Sequence, residues 1–257
     1  INDWVSISFS NTSANPLCYA ENLYLNGDTT TPVTEINIDT ATSIGAYSLY
    51  SYEKLTKVTI GDQVTSIGNY AFYGCSNLTT VTFGENSQLT SVGNSVFRYC
   101  RILTNIIIPS SVTSIGSGAF SNCYSLVEVV NQSNETFNVG DYGTDFYNNP
   151  ILEIITDEAD SKLVTIDGNV YKDYNGERYF IMNIDGSTEI VIDSSATRIY
   201  QYAFYNRSDI TSVTIPSSVT SIGQRAFQSC SRLTTVTFGD NSQLTSIGQY
   251  AFSGCSS

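Results

Sequence analysis

The chain has 257 residues, 41% of them hydrophobic, which is enough for a sizeable core. Eleven Lys and Arg against 24 acidic residues leave a formal charge of -13, which argues against nucleic acid and anionic membranes as partners. The absence of His removes Ser-His-Asp and Cys-His hydrolysis and His-ligated zinc, and no apolar run reaches the roughly 18 to 20 residues of a membrane span.

Residues 1–40 share no pattern with the rest of the chain, yet they hold the only Trp (Trp4) together with Pro16, Leu17, Tyr19, Leu23, Tyr24 and Leu25. They read as an N-terminal cap, with NLYLNGD forming a strand that enters a turn at Asn26-Gly27. A first residue of Ile suits either a processed, secreted chain or a trimmed one.

From residue 41 to 130 the chain repeats one unit, typified by VTSIGNYAFYGCSNLTTVTF between Val64 and Phe83. Ile67, Ala71, Phe72, Cys75 and Leu78 mark one side of a short helical segment; Leu78, Val81 and Phe83 then point inward from a strand whose Thr80 and Thr82 point outward. Such a unit is too short to fold alone and must stack on copies of itself. The position of Phe72 recurs at Leu49, Phe97, Phe120, Phe146, Phe204, Phe227 and Phe252. A period in the twenties with Leu and Ile at inward sites marks a leucine-rich-repeat solenoid. The longer steps come from turns, since LTTVTFGENSQLTS (78–91) and LTTVTFGDNSQLTS (233–246) carry an extended link.

Between 131 and 195 the pattern decays. Phe146, Leu152 and Ile155 preserve one coil, with Asn149 at the cysteine position. The next segment breaks at Asp167-Gly168, Asn175-Gly176 and Asp185-Gly186, and Asn-Gly between Tyr171 and Tyr179 predicts an inserted β-hairpin. Regular coils resume from 196 to 257. The expected fold is therefore one continuous right-handed α/β solenoid, with a parallel sheet of short strands on one face, short helices on the other and a hairpin insertion. Its last coil ends without a cap, so further chain, another covering element or end-to-end contact is expected to cover it.

Cys75, Cys100, Cys123, Cys230 and Cys255 share one inward repeat position, so buried free thiols are expected rather than disulfides; Cys18 lies outside this row. No CxxC or other close metal spacing is present, and no metal or cofactor is expected. The dense acidic group Asp141, Asp145, Asp157, Glu158 and Asp160 reads as a solvated loop; calcium binding or a carboxylate-pair glycosidase are its alternatives.

The string T-S-I-G-x-x-A-F-x-x-C-x-x-L-x-x-V-T-I-P-x-S-V, carried from Thr113 to Val129 and from Thr211 to Phe238, resembles the BspA-like leucine-rich repeat family. The pattern fails at Tyr52 and Arg207, both at the cysteine position. The resemblance implies a secreted or surface-displayed bacterial protein, extracellular and host-associated, with a role in adhesion and no catalysis. Host extracellular or microbial surface proteins are the partners this implies; a glycan-binding module and a ligand-free spacer are the alternatives. Outward strand residues Thr80, Thr82, Asn105, Ser212, Thr214, Thr235 and Thr237 form the candidate binding face, alongside Lys57, Thr59, Ile107, Glu128 and Val130. Hairpin aromatics Tyr171, Tyr174 and Tyr179, with Phe180, are the candidates for stacking on sugars.

Overall fold

A computed structural model describes residues 1–20, 22–24, 30–134, 151, 153–156 and 161–257. The chain forms two compact units, Ile1–Ser161 and Lys162–Ser257. The turn expected at Asn26-Gly27, the positions Phe146, Asn149 and Leu152, and the acidic group at 141–160 lie outside the described residues.

In the first unit, strands Glu35–Ile38, Lys57–Ile60 and Thr80–Phe83 pair in parallel without slip, so Ile36, Val58 and Val81 stack one above another in the core. Asn105–Ile108, Glu128–Asn131 and Glu153–Ile155 form a second parallel set. A two-residue strand from each coil, Ser43–Ile44, Ser66–Ile67, Ser91–Val92 and Ser114–Ile115, makes a further parallel ladder.

The short helices expected opposite the sheet do not form. Among the described residues, helical turns are confined to Asn2–Val5, Thr12–Ala14 and Leu17–Ala20, all in the N-terminal segment. The cause lies in how the repeat spends its backbone donors. Ala71, Tyr73 and Cys75 donate three residues back within their own coil, whereas Tyr70, Phe72 and Gly74 donate to Asn94, Val96 and Arg98 of the next coil. This alternation requires left-handed backbone at two sites four residues apart, Tyr70 (φ 61) and Gly74 (φ 72) in this coil, and it interrupts any helix. Tyr47 and Ser51, Ser95 and Tyr99, Gly118 and Asn122, Tyr202 and Asn206, Arg225 and Ser229 and then Tyr250 and Gly254 repeat the pair.

Three residue rows tie coil to coil. The first is aromatic: Phe72 stacks on Phe97 at 5.2 Å, Phe97 on Phe120 at 5.4 Å, Phe204 on Phe227 at 4.8 Å and Phe227 on Phe252 at 4.9 Å. The second is threonine: Thr65 gives both its amide N–H (2.9 Å) and its hydroxyl (3.0 Å) to the Thr42 carbonyl, and Thr90, Thr113, Thr220 and Thr245 repeat this down their coils. The third is cysteine. All six thiols are free, and the Sγ of Cys75, Cys100, Cys123, Cys230 and Cys255 each donates, at 3.1 to 3.4 Å, to the carbonyl of the Leu49- or Phe-position residue one coil back. The thiols are thus donors as well as small apolar fillers. Glycine completes the stacking, because a Cβ on Gly68 would lie 2.5 Å from the Ala46 nitrogen and one on Gly223 2.4 Å from the Gln201 nitrogen.

The N-terminal segment meets the first coil through polar contacts that later coils supply from their own repeats. Trp4 Nε1 donates to the Ser48 carbonyl at 2.8 Å, and the buried Asn15 side chain donates to the Tyr47 carbonyl. Tyr52 has no earlier thiol row to continue; its ring is buried and its hydroxyl donates to the Val33 carbonyl at 2.6 Å.

In the second unit, Leu163–Ile166, Asn169–Tyr174 and Glu177–Asn183 run antiparallel, with Asn175-Gly176 at the tight turn. Glu177–Asn183 then pairs in parallel with Arg198–Ile199, which continues to Ser221–Ile222 and Ser246–Ile247. Glu189–Val191, Ser212–Ile215 and Thr235–Phe238 form the other parallel sheet. Phe180 occupies the start of the aromatic row, stacked on Phe204 at 4.9 Å. Three of the positions at which the coil beside this antiparallel pair departs from the repeat contact its neighbour. Arg198 replaces Ser and pairs with Glu177, and Tyr200 replaces Gly and meets Tyr179 edge-on at 5.4 Å. Arg207 replaces Cys and donates to the Ser187 carbonyl at 3.1 Å while pairing with Asp209.

Candidate functional site

Side-chain alternation on the strands presents one row of residues to solvent in each unit. In the first unit Thr80 lies beside Lys57 and Thr82 beside Thr59, and the Thr82 hydroxyl donates to that of Thr59 at 3.1 Å. Thr82 is exposed; Thr59, Thr80, Asn105 and Ile107 are half-buried. The exposed row stops there. Glu128 and Val130, expected on the same face, are fully buried, and a Glu128 carboxylate oxygen accepts from Ser161 Oγ at 2.7 Å. Beyond Ile107, a cavity of about 650 Å³ is walled by the extended link Gly84–Gln88 and by Pro109, Ser110 and Ser111. Asp62 fixes that link, its carboxylate accepting from the Asn86 amide at 3.1 Å and its carbonyl from that of Gln88 at 3.1 Å.

In the second unit Ser212 lies beside Thr235 and Thr214 beside Thr237; the three threonines are exposed and Ser212 is half-buried. The adjoining strand adds Val191, 67% exposed, in register with Thr214. Phe238, Ile247 and Tyr250 are exposed on the last coil.

The predicted stacking aromatics separate. Tyr171 is fully buried, edge-on to Phe180 at 5.5 Å, and its hydroxyl accepts from the Asp193 amide at 2.9 Å, so it is part of the core and not available to a sugar. Phe180 is buried with it. Tyr174 and Tyr179 are half-buried. The Tyr179 hydroxyl donates to Glu177 at 2.9 Å, and the Arg198 guanidinium sits 5.9 Å from its ring centre. Glu177 and Asp173 are held below the usual carboxylate range by the hydrogen bonds of Arg198 and Arg178. Near the tip of the pair a cavity of about 440 Å³ is lined by Lys162, Tyr174, Asn175 and Gly176 among others.

Two arrangements escape sequence reasoning. Opposite the first unit's sheet, Tyr47 stacks on Tyr70 at 4.9 Å and Tyr50 on Tyr73 at 4.8 Å. Their identical place in successive coils was the signal, once the coils are known to stack within ring-contact distance. In the second unit, residues from the Asp167-Gly168 and Asp185-Gly186 turns line a common cavity of about 470 Å³. Those dipeptides signalled only turns. Among the described residues, no group of three His, Cys, Asp or Glu side chains is placed to hold a metal ion, and no helix is long and apolar enough to cross a membrane.

A coil of 23 to 26 residues, strands in parallel register and the T-S-I-G-x-x-A-F-x-x-C unit define a leucine-rich-repeat solenoid. The chain belongs to the BspA-type leucine-rich repeat family, whose region matches residues 42–178 and 176–257 in six copies. It is similar to a leucine-rich cell surface protein from Faecalibacterium prausnitzii, at 25% identity and a TM-score of 0.41 over 88% of this chain and 74% of that one. A leucine-rich repeat protein from Bacteroides ovatus is 26% identical, with a TM-score of 0.40 over 87% of this chain and 64% of that one. The pneumococcal vaccine antigen PcpA is 16% identical, with a TM-score of 0.37 over 84% and 64% of the two chains. No curated protein matches the sequence.

Proposed function

We propose that this protein is an extracellular, surface-associated adhesion module that binds a host or microbial surface protein through the outward strand rows, without catalysis. One observation carries the reading: Thr82, Thr214, Thr235 and Thr237 are exposed on strands whose opposite faces line the core. Short threonine side chains on a fixed backbone lose little rotamer freedom when a partner docks, so contact area converts to affinity with a small entropic cost. The flanking Val191 and Ile107 add apolar contact. The glycan alternative loses Tyr171 and Phe180 as platforms and rests on Tyr174 and Tyr179 alone.

The test is an array of matrix proteins, bacterial surface proteins and glycans probed with the wild-type chain and with Thr82→Trp and Thr237→Trp. Saturable binding to a protein, weakened at least about tenfold by one of these substitutions, supports the reading; tenfold corresponds to about 1.4 kcal/mol. Unchanged binding in both variants, or a blank from folded protein, overturns it. A glycan hit lost with Tyr179→Ala assigns the antiparallel pair instead.

A further inference from the structure

Opposite the first unit's sheet, two neighbouring residue rows leave a gap one coil wide. Ser51, Gly74 and Tyr99 hold the same left-handed backbone position in three successive coils, with φ 54, 72 and 64. Amides join those coils at this point: the Ser51 N–H donates to the Tyr73 carbonyl at 2.6 Å and the Gly74 N–H to the Arg98 carbonyl at 2.8 Å. Two residues further along each coil stand Glu53, Ser76 and Arg101. In both rows the middle coil carries the small residue, while the outer coils lie about 9 to 10 Å apart, twice the spacing of paired strands. The gap is a cavity of about 230 Å³ lined by Gly74 and Ser76 of the middle coil, Ser51 and Glu53 of the coil before, Tyr99 and Arg101 of the coil after, and Tyr73.

Its charged groups are uncommitted. Glu53 and Arg101 border the same cavity, yet among the described residues they form no ion pair and neither side chain has a hydrogen-bond partner. The coil of Ser76 stands between them. Its aromatic groups, in contrast, are fixed. Tyr73 stacks on Tyr50 at 4.8 Å, 4° from parallel, and meets Tyr99 edge-on at 5.4 Å, while the Arg98 guanidinium lies 5.2 Å from the Tyr99 ring centre. Tyr73 and Tyr99 are half-buried, so each keeps an exposed portion of its ring. Rings held in this way lose little freedom when a ligand meets them.

This lining selects a neutral, ring-shaped polyol. Arg101 offers only donors, Glu53 only acceptors, and the Ser51 and Ser76 hydroxyls do either, which matches hydroxyl groups that donate and accept at once. The tyrosine rings suit the apolar C–H face of a sugar ring. An anion would meet Glu53 and the net charge of -13, and a cation would meet Arg101. The volume falls below the roughly 300 to 1,000 Å³ of pockets for drug-sized ligands, so it has room for one ring. We propose that this cavity binds a single neutral pyranose, as at the end of a surface glycan. The site lies opposite the strand rows and is separate from Tyr174 and Tyr179, so it goes beyond the adhesion reading and does not depend on it.

The 15N-labelled chain is titrated with the methyl glycosides of glucose, galactose, mannose and N-acetylglucosamine while the backbone amides of Gly74, Ser76 and Arg101 are followed by NMR. Glycerol, a polyol without a ring face, and alanine, a zwitterion able to pair with both Glu53 and Arg101, are titrated in parallel. At least one pyranoside is expected to give saturable shifts at these amides at millimolar concentration, with none from glycerol or alanine. Tyr99→Ala, which removes a ring, and Ser76→Gln, which fills the gap between the coils, should each lower its affinity at least about fivefold. An unchanged thermal midpoint shows that a variant is folded, and if Tyr99→Ala lowers that midpoint, Ser76→Gln alone decides. No shift with any of the pyranosides, an equal response to glycerol or alanine, or undiminished affinity in the folded Ser76→Gln chain each overturns the proposal.

Discussion

Replacing Phe97 by Ala tests the stacking logic of the fold directly. Phe97 is 1% exposed and lies between Phe72 at 5.2 Å and Phe120 at 5.4 Å, nearly parallel to both. Removing roughly 150 Å² of buried aromatic surface at about 25 cal/mol per Å² costs roughly 4 kcal/mol. Two lost ring pairs add about 0.5 to 1.5 kcal/mol each, while partial collapse of the gap returns some, so about 4 to 5 kcal/mol is expected, near the top of the usual Phe→Ala range. Phe252 provides an internal control, since it is half-buried and, among the described residues, stacks on Phe227 alone, at 4.9 Å; Phe252→Ala should cost about half as much. Urea unfolding followed by far-UV circular dichroism, with Trp4 fluorescence as a second probe, supplies both numbers. A cost below about 1 kcal/mol for Phe97→Ala, or a larger cost for Phe252→Ala, would refute the ladder as the main source of coil-to-coil stability.

Burial pushes the thiols of Cys75 and Cys230 up to about 12 and raises those of Cys100 and Cys123 as well. Unfolded thiols ionise near 9, so their contribution is complete below that pH and is lost as pH rises towards the folded value. Each buried thiol should then cost about 1.4 kcal/mol per pH unit above 9, and Cys75→Ser should flatten the fall in stability between pH 9 and 10.5. A thiol reagent at pH 8 should modify Cys18 and Cys255 in the native chain and all six cysteines in denaturant; rapid modification of Cys100 would contradict the packing. Gly68→Ala should destabilise by about 1 to 3 kcal/mol, because the added Cβ would lie 2.5 Å from the Ala46 nitrogen. A thermal midpoint unchanged by that substitution would show that the coils do not stack this closely.

Much of the architecture was legible because a repeat multiplies weak local signals. The alternation in Thr80–Phe83 and the recurrence of the Phe72 position predicted which side of the regular strands is buried, and the parallel register follows from the return of one unit whose length differences fall in the turns. The helical reading failed for an identifiable reason. Spacings of three and four residues at Ile67, Ala71, Phe72 and Cys75 are shared by a helix and by a turn whose alternate amides bond to the next coil; only the neighbouring coil distinguishes them. Gly74, Gly118, Asn122 and Asn206, all tolerant of left-handed backbone, were the available hint. The candidate face was legible where the repeat is regular, at Thr214, Thr235 and Thr237. It was misread at Glu128, Val130 and Tyr171, whose burial depends on segments distant in sequence.

The sequence by itself determined the period, the inward rows of Phe and Cys, the free thiols and the family. Each is a property of local pattern, and local pattern repeats wherever the same residues return. Tertiary structure alone decided that Arg198, Tyr200 and Arg207 serve the antiparallel pair, and that Phe180 supplies the missing ring of the aromatic row. It also decided that Asp167, Asn183 and Glu189 line one cavity. Those outcomes depend on which backbone lies within a few ångströms of which side chain once coils are stacked, and no window along the chain contains that distance.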